Sequence, residues 1–145
     1  MKKQDSPEKL GFLLQKIMKI LHAQGRKALM EENVTFPQYY ALFLLSRKKL
    51  YKMGDLKKEL FITGAGATGI ANHLIKKGLA QRQRSNDDRR VVNIEITNKG
   101  TKIIDKALRQ RRDCLTLVLK KIGSKKKELL IKGVEIFASV LEEDI

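Results

Sequence analysis

The stretch TGAGATGIANHLIKKGLAQRQRSNDDRRVVNIEIT, Thr63 to Thr97, decides how the rest of the chain is read. Its first part is a helix with both ends marked. Thr63 supplies a capping hydroxyl, Lys76 and Lys77 put cations in the last turn, and Gly78 follows as a stop. Ala67, Ile70, Ala71, Leu74 and Ile75 share one face, suited to packing inward. Ala65, Thr68, Gly69, Asn72, His73 and Lys76 share the other. Two strand-like stretches come next, Leu79 to Arg84 and Val91 to Ile96, the second with Val92, Ile94 and Ile96 alternating against Asn93 and Glu95. Between them Ser85-Asn86-Asp87-Asp88 reads as a polar turn leading into Arg89-Arg90. A helix followed at once by a basic hairpin predicts the second half of a helix-turn-helix with a two-stranded wing.

The flanks complete that pattern. Upstream, Ser6-Pro7-Glu8 opens a helix whose apolar residues, Leu10 to Leu21, recur at helical spacing and which runs to about Met30. Thr35-Phe36-Pro37-Gln38 is a capping box opening a helix over Phe36 to Arg47. A basic turn (Arg47 to Lys49), a very short strand (Leu50 to Met53) and a small helix from Gly54-Asp55 to about Leu60 lead into Thr63. Downstream, Thr97 caps a long helix carrying Ile103, Ile104, Ala107, Leu108, Leu115, Val118, Leu119 and Ile122. Gly123-Ser124 breaks it and starts a last helix with Leu130, Val134, Phe137 and Leu141 on one stripe. The fold class is therefore mainly α (α+β): a winged helix-turn-helix with N- and C-terminal dimerisation helices. Residues 1–145 form one domain, with residues 35–100 as the winged lobe and residues 6–34 and 101–145 as the dimerisation helices. One chain offers little for the terminal stripes to cover, so a homodimer is expected.

Charge points to the partner. The 31 Lys and Arg against 16 Asp and Glu give a formal net charge of +15, and a compact body this basic attracts polyanions, of which nucleic acid is the commonest. An anionic membrane surface fits less well, because no helix sets a Trp/Phe-rich face against a basic one. The longest uncharged apolar run, Tyr39 to Leu45, is far shorter than the ~20 residues a bilayer demands. The N-terminal MKKQDSPEK has no apolar core or cleavage site, and Cys114 is the one cysteine, so the cytoplasm is expected and no membrane partner. Double-stranded DNA is the expected partner. A helix entering a groove must be slim yet able to bond base edges, which nominates Thr63, Gly64, Ala65, Gly66, Thr68, Gly69, Asn72, His73 and Lys76, with Thr68, Asn72 and His73 as base readers. Gly64 and Gly66 would let backbone N–H groups approach phosphate at the helix start. Arg82, Arg84, Arg89 and Arg90 gather round the hairpin, where arginine suits a narrow, electronegative minor groove. Asp87 and Asp88 would pair with an arginine and fix its direction.

In these residues the chain resembles the MarR (multiple antibiotic resistance regulator) family of winged-helix transcription factors. The likeness lies in Thr35-Phe36-Pro37-Gln38-Tyr39-Tyr40-Ala41-Leu42, in Thr63 to Ile70 with Leu74 to Leu79, in Asp88-Arg89-Arg90, and in Ile96-Thr97-Asn98-Lys99-Gly100. Its most specific element is the Asp-x-Arg wing signature nine residues ahead of Thr97. The resemblance implies that Arg90 reaches the minor groove while Asp88 orients it, and that the helix from Thr63 to Lys77 enters the major groove. It implies a ligand-responsive regulator, binding pseudo-palindromic operator DNA as a homodimer, with a small-molecule effector between the dimer helices and the lobe. Phe12, Tyr39, Tyr40 and Phe43 are the candidate pocket residues. Many relatives carry Lys or Arg where this chain has Gly64 and Gly69, which shifts specificity toward groove shape and Thr68, Asn72 and His73. Peroxide-sensing members use a cysteine in the first helix, where this chain has none; Cys114 reads as a packing residue.

His22, His73 and Cys114 lie at no useful spacing for a metal or a nucleophile, so neither a metal site nor any cofactor is expected. No acid/base set converges, and the chain is not read as an enzyme. The competing reading is a sequence-tolerant architectural protein of the nucleoid type.

Overall fold

The computed structural model describes residues 6–48, 50–60 and 62–144; the end of the basic turn read at Lys49 lies outside them. In chain order the elements are α1 (Ser6–Glu31), α2 (Phe36–Arg47), β1 (Tyr51–Lys52), α3 (Met53–Glu59), α4 (Gly64–Lys76), β2 (Ala80–Arg84), β3 (Val92–Ile96), α5 (Asn98–Ile122) and α6 (Ser124–Glu143). The three strands form one antiparallel sheet in the order β1-β3-β2, with Tyr51 opposite Ile94 and Arg82 opposite the same residue from the other side. This is the expected winged helix-turn-helix.

Caps set the boundaries. The Thr35 N–H donates to Gln38 Oε1 at 3.3 Å at the head of α2. Thr63 Oγ1 accepts from the Gly66 N–H at 3.2 Å and Thr97 Oγ1 from the Gly100 N–H at 3.1 Å. Each satisfies one of the donors that a helix start leaves open. At the far end of α4 the Gly78 N–H donates to Ile75 O and the Leu79 N–H to Leu74 O, both at 2.9 Å, with Gly78 at φ 72°. That is a complete Schellman closure, and its apolar contact joins Leu74 and Leu79, both fully buried. It also explains why β2 starts at Ala80 and not at the expected Leu79: the Leu79 N–H is already bonded to the helix end. The first strand is likewise shorter than the Leu50 to Met53 stretch, because Met53 opens α3.

The core is built from Leu42, Leu45, Leu56, Leu74, Leu79, Ile94 and Ile104, all fully buried. It reaches beyond residues 35–100, since Ala28 and Leu29 of α1 and Ile103, Ile104 and Ala107 of α5 belong to it. At Gly25 α1 packs against α5, where an added Cβ would make an ordinary contact 3.5 Å from Ala107 O. Past these anchors the terminal helices leave the lobe. No residue of α6 is buried, and Phe12, Leu117, Leu129 and Ile136 are more than half exposed.

Gly100, in the first turn of α5, is buried against the end of α4. A methyl group there would collide with Leu79 O and stand 2.8 Å from Ile96 Cγ1. Because one obstacle is backbone, the site cannot yield by a rotamer change. Gly100→Ala is expected to destabilise the fold by about 2–3 kcal/mol, within the range of overpacked cores; urea denaturation measures it, and an unchanged midpoint would refute the close approach.

Candidate nucleic-acid interface

The amphipathic reading of α4 holds in space. Ala67, Ala71 and Leu74 are buried, whereas Ala65, Thr68, Asn72, His73 and Lys76 are exposed. Thr63 is exposed at the N-cap; Gly64, Gly66 and Gly69 are half-buried. A Cβ on Gly69 would meet nothing within 4 Å, so no internal packing demands a glycine there.

The hairpin beside α4 is held by short-range bonds. The Ser85 N–H donates to Val91 O at 3.2 Å and the Val91 N–H to Asp88 O at 3.0 Å. Arg82, Arg84, Arg89 and Arg90 are all exposed. The expected pairing of Asp87 or Asp88 with an arginine side chain is not found: the ion pairs among the described residues are Lys99–Glu32 and Lys106–Glu31. Asp88 instead accepts the Arg90 backbone N–H through Oδ1 at 2.9 Å. A carboxylate two residues ahead of an N–H is placed by the turn itself to accept it, while an exposed ion pair gains little. Asp88 thus sets the course of the chain at Arg90 and leaves its guanidinium uncommitted.

Between α4 and the hairpin lies a cleft of about 640 Å³, lined by Lys52, Met53, Gly54, Asp55, Thr68, Arg82, Arg84, Arg90, Val91 and Val92. Arg82, one of its lining residues, donates from Nη2 to Oδ1 of Asn72, which stands outside the lining. Sequence reasoning grouped Arg82 with the wing and Asn72 with the helix, without their bond. It also missed Lys52, which the two-residue pairing of β1 with β3 brings opposite Asn93; no local signal marks it.

A second cavity, about 750 Å³, lies between α1, the start of α2 and α5. Its walls include Met18, Lys19, His22, Arg26, Phe36, Tyr39 and Arg111. Of the four aromatic residues considered from sequence, Tyr39 is among its lining; Phe12, Tyr40 and Phe43 are not. Two buried polar atoms there, His22 Nε2 and Tyr39 Oη, have no hydrogen-bond partner among the described residues. The His22 ring lies 4.0 Å from that of Phe36, centroid to centroid. The Arg111 guanidinium sits over the Tyr39 ring at 5.1 Å. Burial, then the charge of Arg111, holds the His22 imidazolium below its usual range. Burial raises the Tyr39 phenol against the opposing pull of Arg111. Cys114 is half-buried on α5, and no helix among the described residues is long and apolar enough to cross a membrane.

Comparison with known proteins agrees with this geometry. Residues 32–91 match the model of the MarR family. The chain is 30% identical over 99 residues to the organic hydroperoxide resistance transcriptional regulator of Bacillus subtilis (strain 168), covering 68% of this chain and 67% of that one. Among solved structures, FabT of Streptococcus pneumoniae in complex with DNA superposes with a TM-score of 0.85 at 20% identity, over 97% of this chain and 100% of that one. NadR in complex with 4-hydroxyphenylacetate gives 0.72 at 25% identity, over 97% and 95%.

The depressed His22 gives stability a signed dependence on pH. The unfolded chain protonates His22 near pH 6.5 while the folded chain resists, so stability is full above that pH and declines as pH falls below it. His22→Gln should flatten this part of a stability-versus-pH profile measured by urea denaturation. An identical slope in both proteins would mean that the imidazole is as well solvated folded as unfolded.

Proposed function

The chain belongs to the MarR family of DNA-binding transcriptional regulators, and from that premise we propose that it works as a homodimer on pseudo-palindromic operator DNA and answers to a small-molecule effector. One observation carries the reading. The exposed face of α4, with Thr68, Asn72, His73 and Lys76, adjoins a hairpin whose Arg84, Arg89 and Arg90 are engaged in no ion pair among the described residues. With α4 in a major groove, a wing extending from its end reaches the adjacent minor groove, where arginine is favoured. Gly69, small without an internal reason, lets the helix backbone come close to the bases.

The dimer is supported by the terminal helices. In α6 the exposed Leu129, Leu130, Val134, Phe137, Val140 and Leu141 form an arc wider than its own-chain neighbour α5 can cover. Apolar surface of that extent is characteristic of an interface. A second copy related by a two-fold axis covers it and sets two copies of α4 about one DNA turn apart.

The effector reading rests on the 750 Å³ cavity, which is of small-molecule size. Its apolar walls, the cations Lys19, Arg26 and Arg111, and the unpartnered His22 and Tyr39 atoms suit an amphiphile with an anionic or hydrogen-bonding head. Such a molecule changes DNA binding only by preferring one separation of the recognition helices over another.

Selection of bound duplexes from a random pool tests the central claim. The expected result is a two-fold symmetric motif, bound by a species of twice the chain mass in sedimentation. Arg90→Ala should weaken binding to that motif at least about tenfold, on the order of one specific interaction removed from each half-site. Enrichment without symmetry, with binding indifferent to Arg90→Ala, would overturn the reading in favour of a sequence-tolerant architectural protein.

A further inference from the structure

Resting on the DNA-binding reading above, we propose that the cleft between α4 and the hairpin seats one phosphodiester of the DNA backbone, with Arg82 as its clamp and Asn72 as the residue that positions Arg82. Three observations lead there. The first is topological. A helix in the major groove and a wing in the neighbouring minor groove are separated by one DNA strand, so that strand's backbone must pass between them. The cleft of about 640 Å³ opens there, walled by the hairpin, by Thr68 of α4 and by the start of α3.

The second is the charge of its walls. Arg82, Arg84 and Arg90 line it together with Lys52, and Asp55 is the one carboxylate among its lining residues. Strand alternation sharpens the point. In β2, Ala80, Arg82 and Arg84 pair with Ile96, Ile94 and Val92, so the two arginines occupy the sheet face that carries the fully buried Ile94. An apolar residue is the usual occupant of that face. Both arginines are exposed, so their guanidinium groups stay open to an anion that enters from solvent.

The third is the bond from Arg82 Nη2 to Asn72 Oδ1. An exposed arginine otherwise samples many rotamers; a fixed acceptor on α4 aims the guanidinium and leaves its remaining N–H donors for phosphate oxygens. The acceptor is a carboxamide, which orients the arginine without cancelling its charge. The same bond limits what Asn72 can read. Bidentate recognition of adenine needs both the oxygen and the amide group of an asparagine turned to the base edge, and the bond to Arg82 turns the oxygen of Asn72 toward the guanidinium instead. Asn72 therefore acts through Arg82, and base reading passes to Thr68 and His73.

The test uses the full chain, the duplex selected above and a scrambled duplex, with affinity measured by fluorescence anisotropy at about 50 and about 200 mM salt. Arg82→Gln should weaken binding to both duplexes by the same factor. With one phosphate released from each subunit of a dimer, the fall in affinity between the two salt concentrations should shrink by roughly 12-fold. Asn72→Ala should weaken both duplexes while the selected motif stays unchanged, and Asn72→Asp should weaken both further, because a carboxylate neutralises Arg82 beside the phosphate. Replacing phosphates singly with methylphosphonate then locates the seat. One position per half-site should reduce wild-type affinity and leave Arg82→Gln indifferent, while Lys102→Gln, a charge removed from exposed α5 surface, remains sensitive there. The proposal is overturned if Arg82→Gln or Asn72→Ala changes the preferred base at any position, or if no methylphosphonate position couples to Arg82. If the wild-type chain binds neither duplex, the DNA-binding reading itself falls; if it binds with the expected motif and Arg90 dependence but without that coupling, only the seat does.

Discussion

The close approach of Gly100 to Leu79 O orients everything this chain offers to a duplex. The Thr97 N–H donates to Leu79 O at 3.1 Å, Thr97 Oγ1 to Gly78 O at 2.6 Å and Lys99 Nζ to Lys77 O at 3.2 Å. These are the carbonyls of the C-cap of α4 and of the two residues that follow it. Satisfying them from the start of α5 welds the exit of the recognition helix to the exit of the hairpin, since residues 80–96 lie between the two. The wing is thereby closed at its base. Its direction relative to α4 is fixed by backbone groups, not by the long side chains at its tip. An interface reading two adjacent grooves needs that fixed angle, because a small rotation at the base becomes a large displacement at Arg90.

The same junction is where α5 begins, and α5 links the lobe to the rest of the chain. Its first turns put Ile103, Ile104 and Ala107 into the lobe core. Arg111, one turn on, reaches the cavity beside Tyr39, and beyond it Leu115, Leu117 and Val118 are exposed. One rigid helix therefore meets the hairpin base, the cavity and the apolar surface in succession. A molecule in the cavity biases the DNA-binding face only through a difference in its contacts between two helix arrangements. The helix on which such a difference would act is α5, which starts at Asn98.

Much of this was legible in sequence because it is local. Thr35, Thr63 and Thr97 announced helix starts, Gly78 a helix end, and the alternation of Val92, Ile94 and Ile96 a strand; each acts within about four residues of itself. What could not be read depends on which distant residues meet. Lys52 enters the cleft through a two-residue strand too short to leave a pattern. His22 and Arg111 face one cavity from helices at opposite ends of the chain. Periodicity assigned Asn72 to the outer face of α4 correctly but could not reveal that Arg82 would bond to its oxygen. Asp88 illustrates a subtler failure: the residue and its importance to Arg90 were visible, yet whether a carboxylate takes a guanidinium or a backbone N–H is decided by turn geometry, which composition does not specify.

The distribution of acids follows from the same division of labour. With 16 acidic residues against 31 basic ones, most cations are left without an opposite charge in reach. The two ion pairs among the described residues use Glu31 and Glu32, at the end of α1 and just beyond it, against Lys106 and Lys99 of α5. They tie the end of α1 to the first turns of α5. At the cleft, by contrast, Asp55 is the one carboxylate among lining residues that include four cations. Like charges so gathered repel one another in the free protein, and pairing them internally would relieve the repulsion at the expense of anion binding. Left unpaired, the repulsion is relieved by the polyanion itself, so that association is strengthened by the strain that the free chain retains.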